Sequence, residues 1–581
     1  MKKISIGWIL WCIFLIIGCS STKPSEPHNG FRVKPPRDSF ERTDPAKTDA
    51  ERIAAALAWG DCAYLDEYIR REKTDPNLKA QAAAEITRYA SPDSHVGMYK
   101  TGVMEPQVRL VPKELIDKTS ADPAEVLPAI VSSLTADVSD EFLKAKILHD
   151  WICDVIAYDA DMYISGVIAD QDYESVLKKK KAVCSGYVNL YNQMCELAHI
   201  ESMGVNGYSK GFGYTGKIGK DIDCSWNAVK IGGKWYPVDV TWDAGSVEKK
   251  TFIKRYATAW LFADPRSFLY SHLPEEEAYQ FYAPVLTADD FMREAYIPGA
   301  FFQYGLTVKT KAPEYSALID KPLVFEITAQ NSAVSVSSVV RTAQQREVAG
   351  ASWQTRNGET ITFEFDVPDT AEYKGGIVAK LQNQNRLQDR ISIQTFEQIW
   401  LPGAEKLFAE SEITEDELEY FKKSYYKVTD NSRYYFLEDS FDIPRNNAVV
   451  KIHTLLGLSA GLLEETLTFN LQAAPGYQGF GNDVLKYPHT LPGYTEVSNT
   501  QLLSPTAGIL KSGSSETFTV STGDFTALAI VINGVQTRLA KNDVGIFELN
   551  FTIPSGIDSL TLFGSADERQ YTGLIQYSVT N

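Results

Sequence analysis

Histidine is scarce in this chain: seven in 581 residues, at positions 28, 95, 149, 199, 272, 453 and 489. Enzymes that move protons near neutral pH most often use an imidazole, so few positions are open to that role. Cysteine is equally scarce. Beyond the N-terminal stretch and Cys19, five remain: Cys62, Cys153, Cys184, Cys195 and Cys224. Their number is odd and their spacing fits no zinc pattern, which argues against a fully paired disulfide scaffold and a structural zinc site. No dense acidic loop with ligand spacing occurs, so calcium dependence is not expected. No cofactor is expected, and no metal. Basic residues are in deficit, 57 against 75 acidic, for a net charge of −18. That balance argues against nucleic acid or an anionic bilayer as the main partner.

What is present begins with an export signal. Lys2 and Lys3 precede an apolar stretch, Ile4 to Ile17, that is too short for a comfortable membrane span. It ends Ile16-Ile17-Gly18-Cys19, which resembles a bacterial lipoprotein cleavage box. Cleavage before Cys19 and acylation of its thiol would anchor the chain to a membrane surface, with Ser20 compatible with outer-membrane sorting. A cleaved soluble protein or a short N-terminal anchor are the alternatives. Residues 19–47, rich in Ser and Pro at their start, read as a flexible tether.

The length implies several domains. Residues 48–120 form a helical N-terminal segment, in which Asp49 precedes Ile53, Ala56 and Leu57 at helical spacing and Asn77 is placed to cap a second helix. Residues 125–290 form an α+β domain. In it Leu143, Ile147, Leu148, Trp151, Ile152 and Val155 make one apolar helix face, and a second helix starts near Cys184. From 298 to 397, strands such as Leu323-Phe325-Ile327 and Ile361-Phe363-Phe365-Val367 alternate with polar residues and imply a β-sandwich. A mixed region follows over 402–495, where Thr414-Glu415-Asp416-Glu417 is a capping box. Alternation returns over 500–581, with Asn533-Gly534 as a hairpin turn, implying an immunoglobulin-like sandwich. The fold class is therefore multidomain α+β, with β-sandwiches following the α+β domain.

Within 125–290 the residues that bear chemistry gather around a hairpin. Trp226 to Ile231 and Lys234 to Trp242 flank Gly232-Gly233, a two-residue turn signal. Pairing Ile231 with Lys234 sets Trp226 opposite Asp239 and Cys224 opposite Thr241. Cys224 and Asp239 then become diagonal neighbours on one face. Cys184, at the first turn of its helix, meets the positive end of the helix dipole, which favours a thiolate.

Five stretches together resemble the transglutaminase-like superfamily of papain-type cysteine enzymes, in its kyphoscoliosis-peptidase branch. They are His149-Asp150-Trp151-Ile152 with Tyr158-Asp159, Ala182-Val183-Cys184-Ser185-Gly186-Tyr187, Ser225-Trp226-Asn227, Trp235 to Asp243, and Asp264-Pro265 with Tyr270-Ser271-His272. The resemblance implies Cys184 as nucleophile, Asp239 as third member, and a histidine at position 224. This chain has Cys224 there. A thiol beside a carboxylate is a weak proton donor and no useful base, and loss of one triad member typically costs about 10⁴- to 10⁶-fold in rate. No histidine lies within ten residues of Cys224 or Asp239. His149 reads as a packing or capping residue and His272 as part of a structural turn. In an oxidising compartment Cys184 and Cys224 would either bridge or remain two buried free thiols. Trp226 is either a groove wall or core, and Asp243 either a turn cap or a second carboxylate of the site.

The expected function is a lipid-anchored envelope protein whose transglutaminase-like domain is inactive and serves binding or scaffolding, with a protein or peptide ligand. One alternative is an active cysteine peptidase or crosslinking acyltransferase using Cys184. The other is cell-wall or carbohydrate binding through the β domains.

Overall fold

The computed structural model describes residues 32–33, 46–100 and 111–581 apart from short internal stretches, the longest of them 382–389, 427–433, 438–451 and 453–463. The apolar N-terminal stretch and Cys19 lie outside the described residues. No helix among the described residues is long and apolar enough to cross a membrane. Arg32 and Val33, inside the expected flexible tether, are docked instead. Val33 exchanges backbone hydrogen bonds with the Asn206 amide at 2.8 and 3.1 Å, and Arg32 pairs with Glu275. Gly204 makes room, since a Cβ there would sit 2.5 Å from the Val33 side chain.

Three helices follow: α1 (Asp49–Trp59), α2 (Cys62–Arg70) and α3 (Pro76–Ala90). Thr48 and Glu51 form a capping box on α1. Asn77 does not cap α3. Asp75 does, accepting from Asn77 N and Leu78 N, with Pro76 in the first turn where its missing N–H costs nothing. This small bundle leans on the next domain through Tyr89, whose hydroxyl accepts from Trp235 N at 3.0 Å.

The α+β domain packs α4 (Pro123–Thr135), α5 (Glu141–Val155) and α6 (Cys184–Leu197) against a sheet. Its strands are β1 (Glu201–Ser209), β2 (Cys224–Ile231), β3 (Lys234–Val238) and β4 (His272–Pro274), in the order β3-β2-β1-β4. Val183 precedes α6, and Tyr187, Leu190, Tyr191 and Met194 form its fully buried stripe. The hairpin register is the expected one, Ile231 with Lys234 through Asn227 with Val238. The second strand is shorter than expected and stops at Val238. Asp239 then turns the chain: its Oδ1 accepts from Trp242 N at 3.0 Å and caps α7 (Val240–Ala244).

The next domain is a sandwich of two four-stranded sheets over one core. One sheet orders Ser352–Asn357, Thr360–Phe365, Leu323–Ala329 and Leu306–Val308, and of the expected inward set Phe325, Ile327, Ile361, Phe363, Phe365 and Val367 are buried and Leu323 is half-buried. The other orders Ser316–Ile319, Glu464–Ala473, Tyr373–Leu381 and Val334–Thr342. The sandwich therefore does not end near 397. It takes a central strand from 464–473, so only the part of the expected 402–495 domain before Glu464 is an insertion between sandwich strands, and its remainder belongs to the two sandwiches. Within that insertion the capping box at Thr414 is present, and Phe396, Trp400, Phe421 and Tyr425 form a small aromatic core. The C-terminal sandwich packs sheets built from residues 489–580 around Phe518, Leu528, Ile575 and Tyr577. The molecule is thus multidomain α+β with β-sandwiches.

Candidate active site

Backbone bonds hold Cys184 in place. Gln171 Oε1 accepts from Val183 N at 2.9 Å, and Gly186 is needed beside it, because a Cβ there would sit 2.6 Å from that oxygen. Asn227 on β2 ties the sheet to α6 through Val188 O and Asn192 Oδ1, at 3.2 and 2.9 Å. This packing sets Cys224, the first residue of β2, beside Cys184. Both are free thiols in this structure, not a disulfide, and they stand in one buried cluster. The neighbouring Cys184 thiol, burial, and the nearby Asp239 and Asp223 carboxylates all push the Cys224 thiol well above its usual range.

The structure corrects the expectation for His272. It lies on β4, opposite Ser209 of β1, rather than in a turn. Gly207 sits two residues before Ser209 and opposite Cys224, so His272 and Cys224 share a face of the sheet. His272 Nε2 meets Asp239 Oδ2 at 3.2 Å and Nδ1 meets Ser271 Oγ at 2.8 Å. The ring stacks on Phe268 at 4.0 Å and touches Trp242, Trp260 and Trp226. It is fully buried. Both nitrogens are engaged, and among the described residues no imidazole nitrogen hydrogen-bonds the Cys184 sulfur. Trp226 is core, 2% exposed against Phe268 and His272.

Sequence reasoning also missed the network around His149, which is neither a cap nor simple packing. His149 Nδ1 meets Asp150 Oδ1 at 2.8 Å and Nε2 meets Asp243 Oδ2 at 3.2 Å. Lys146 and the Tyr256 hydroxyl donate to Asp150. Asp243 is not a turn cap: both its oxygens accept from Trp260 N at 3.1 Å. Burial alone would lower the His149 imidazolium, but Cys153, Asp150 and Asp243 around it outweigh that and raise it well above the usual range. Burial raises Asp243 despite His149. The helical spacing of Lys146, His149, Asp150 and Cys153 puts all four on adjoining faces of α5, a signal visible in the sequence. Cys153, His149 and Asp243 do form a Cys-His-Asp cluster, with sulfur and ring 3.8 Å apart. Cys153 is 1% exposed and does not line the cavity described next, so a substrate has no route to it.

A cavity of about 460 Å³ opens at the thiol pair. Cys184, Cys224, Tyr158, Trp242 and Trp260 line it, and Tyr296 and Gly299 at the entry to the first sandwich complete the wall. The lining is largely apolar and aromatic, with Asp223 and Lys210 as its charged groups beside Asp243 and Arg255. Burial raises Asp223 to about 6 and lowers Lys210 to about 7. Lys210 Nζ donates to Glu294 O at 2.7 Å. No group of three or more His, Cys, Asp or Glu that could hold a metal occurs among the described residues.

Lys210 gives a pH-dependent prediction. An unfolded lysine stays charged to about 10.4. Between about 7 and that value the folded state binds fewer protons than the unfolded one, so on this account stability rises with pH. Lys210→Met removes that slope. The melting temperature of the variant relative to the parent should be highest at pH 6 and fall by pH 9, read by circular dichroism. A difference that does not change with pH would contradict the assignment.

Residues 128–240 match the family model described as the transglutaminase-like superfamily. The chain is 30% identical over 206 residues to kyphoscoliosis peptidase of Mus musculus, covering 33% of this chain and 30% of that protein. It is 31% identical over 189 residues to the Homo sapiens protein of the same name, covering 31% and 28%. To hillarin of Drosophila melanogaster it is 25% identical over 193 residues, covering 30% and 23%. The matches thus span less than a third of each relative's length. Cys184, Cys224 and Asp239 all fall within the matched residues, and residues 128–240 are a transglutaminase-like domain of the kyphoscoliosis-peptidase-like kind.

Proposed function

We propose that this is a lipid-anchored protein of a bacterial cell envelope whose transglutaminase-like domain binds a protein or peptide segment and does not carry out acyl transfer. The observation that carries the reading is Cys224 at the position where the resemblance implies a base. Acyl transfer by a cysteine needs a group that takes a proton and returns it to the leaving group near neutral pH. Cys224 is held protonated by its surroundings, and the two buried imidazoles near the site are committed to carboxylates and to Ser271. The aromatic cavity at Cys184 remains suited to an extended segment with apolar side chains. Anchoring through Cys19 rests on the sequence pattern alone.

The His272–Asp239 pair favours a second reading, an active cysteine peptidase or acyltransferase. It would need His272 to leave Ser271 and turn toward Cys184. Alkylation of the reduced protein separates the two. A binding module labels Cys184 slowly below pH 8 and faster toward alkaline pH. Fast labelling of Cys184 that is already maximal at pH 6–7 would overturn the proposal and support the second reading.

A further inference from the structure

Two free thiols in one buried cluster, both on the wall of one cavity, form an arrangement that binding alone does not require. We infer that Cys184 and Cys224 are a thiol–disulfide exchange couple, oxidised by a low-molecular-weight disulfide that enters the cavity. The inference goes beyond the binding function and holds whatever segment the cavity takes.

The two cysteines have different roles. Cys184 opens a 14-residue helix on the cavity wall, and no side chain caps that end. Cys224 is the member that keeps its proton, for the reasons given above. Cys184 is therefore the attacking sulfur. Its thiolate displaces one thiolate from the small disulfide and forms a mixed disulfide. Cys224 then gives up its proton to that departing thiolate or to water and attacks the Cys184 sulfur. This forms the Cys184–Cys224 bond and expels the second small thiolate. In sum, one dithiol and one disulfide become one protein disulfide and two small thiols. No other electron acceptor is needed. Bond formation requires the two sulfurs to close to about 2.05 Å.

The other described cysteines serve as internal controls. Cys62, Cys153 and Cys195 are buried, line no part of the cavity, and burial raises each thiol. The full chain is equilibrated with 2-hydroxyethyl disulfide at pH 8, quenched by alkylation, and mapped without reduction. The expected result is a peptide linking 184 to 224, reversed by dithiothreitol, with the three control thiols unlinked. Cys224→Ser should instead accumulate the mixed disulfide on Cys184 at least tenfold over the parent, with circular dichroism confirming the fold. Two outcomes overturn the inference. One is that both thiols remain fully alkylatable in the parent; the other is that the parent retains as much mixed disulfide as Cys224→Ser.

Discussion

Replacing His149 by alanine should cost the transglutaminase-like domain about 3–5 kcal/mol, the range for removing one partner from a buried ion pair. The reason is what the ring leaves behind. Asp150 keeps Lys146 and Tyr256, and Asp243 keeps the Trp260 N–H, but Asp243 loses the imidazole hydrogen-bonded to its carboxylate at full burial. Asp243→Asn should cost less, because an amide oxygen still serves Trp260 N and no charge is stranded. The pH dependence has a definite sign. His149 is raised in the folded state, so its contribution is complete below the unfolded value near 6.5 and is lost as pH climbs through the folded value. The stability gap between parent and His149→Ala should therefore be widest at mildly acid pH and narrow under alkaline conditions. Urea unfolding at several pH values, followed by tryptophan fluorescence, measures it. A gap under 1 kcal/mol would show that the network is not holding the domain together.

Cys224→His should raise the alkylation rate of Cys184 at pH 6 by about tenfold. A free cysteine is only about 0.3% thiolate at that pH, whereas a thiol paired with imidazolium and titrating near 6 is about half thiolate. That gain of about 160-fold is cut roughly tenfold because a more acidic thiol is a weaker nucleophile. The scaffold favours the new ring, since position 224 already lies beside Cys184 and near Asp239. The competing factor is His272, which holds Asp239 Oδ2. If Cys224→His is silent but the double variant with His272→Asn is reactive, His272 is withholding the carboxylate. If both are silent, the site has lost more than its base.

Local chemistry was legible where a short pattern sufficed. The Gly232-Gly233 turn fixed the hairpin register, and the apolar spacing of α5 and α6 gave both helices and their buried faces. The Thr414 capping box opened its helix. The misses came from partners distant in sequence. His272 looked like part of a turn because nothing within 30 residues indicates that β4 pairs with β1 and swings the ring to Asp239. His149 looked like packing because its second carboxylate, Asp243, is 94 residues away. Asp239 ended a strand that alternation alone would have continued, since a capping carboxylate competes with the ladder for backbone N–H groups.

The strand Glu464–Ala473 carries a practical and a kinetic consequence. It lies between Ser316–Ile319 and Tyr373–Leu381, bonded to both. A fragment cut near residue 397 would lose the middle of a sheet and expose two bare edges to aggregation. During synthesis the first sandwich cannot close until the ribosome has added some 90 further residues past Leu381, so the half-built sheet waits with its apolar face uncovered. Fragments meant to fold alone should therefore run past Ala473, and a chaperone's demand for this protein should be greatest while that stretch is still being translated.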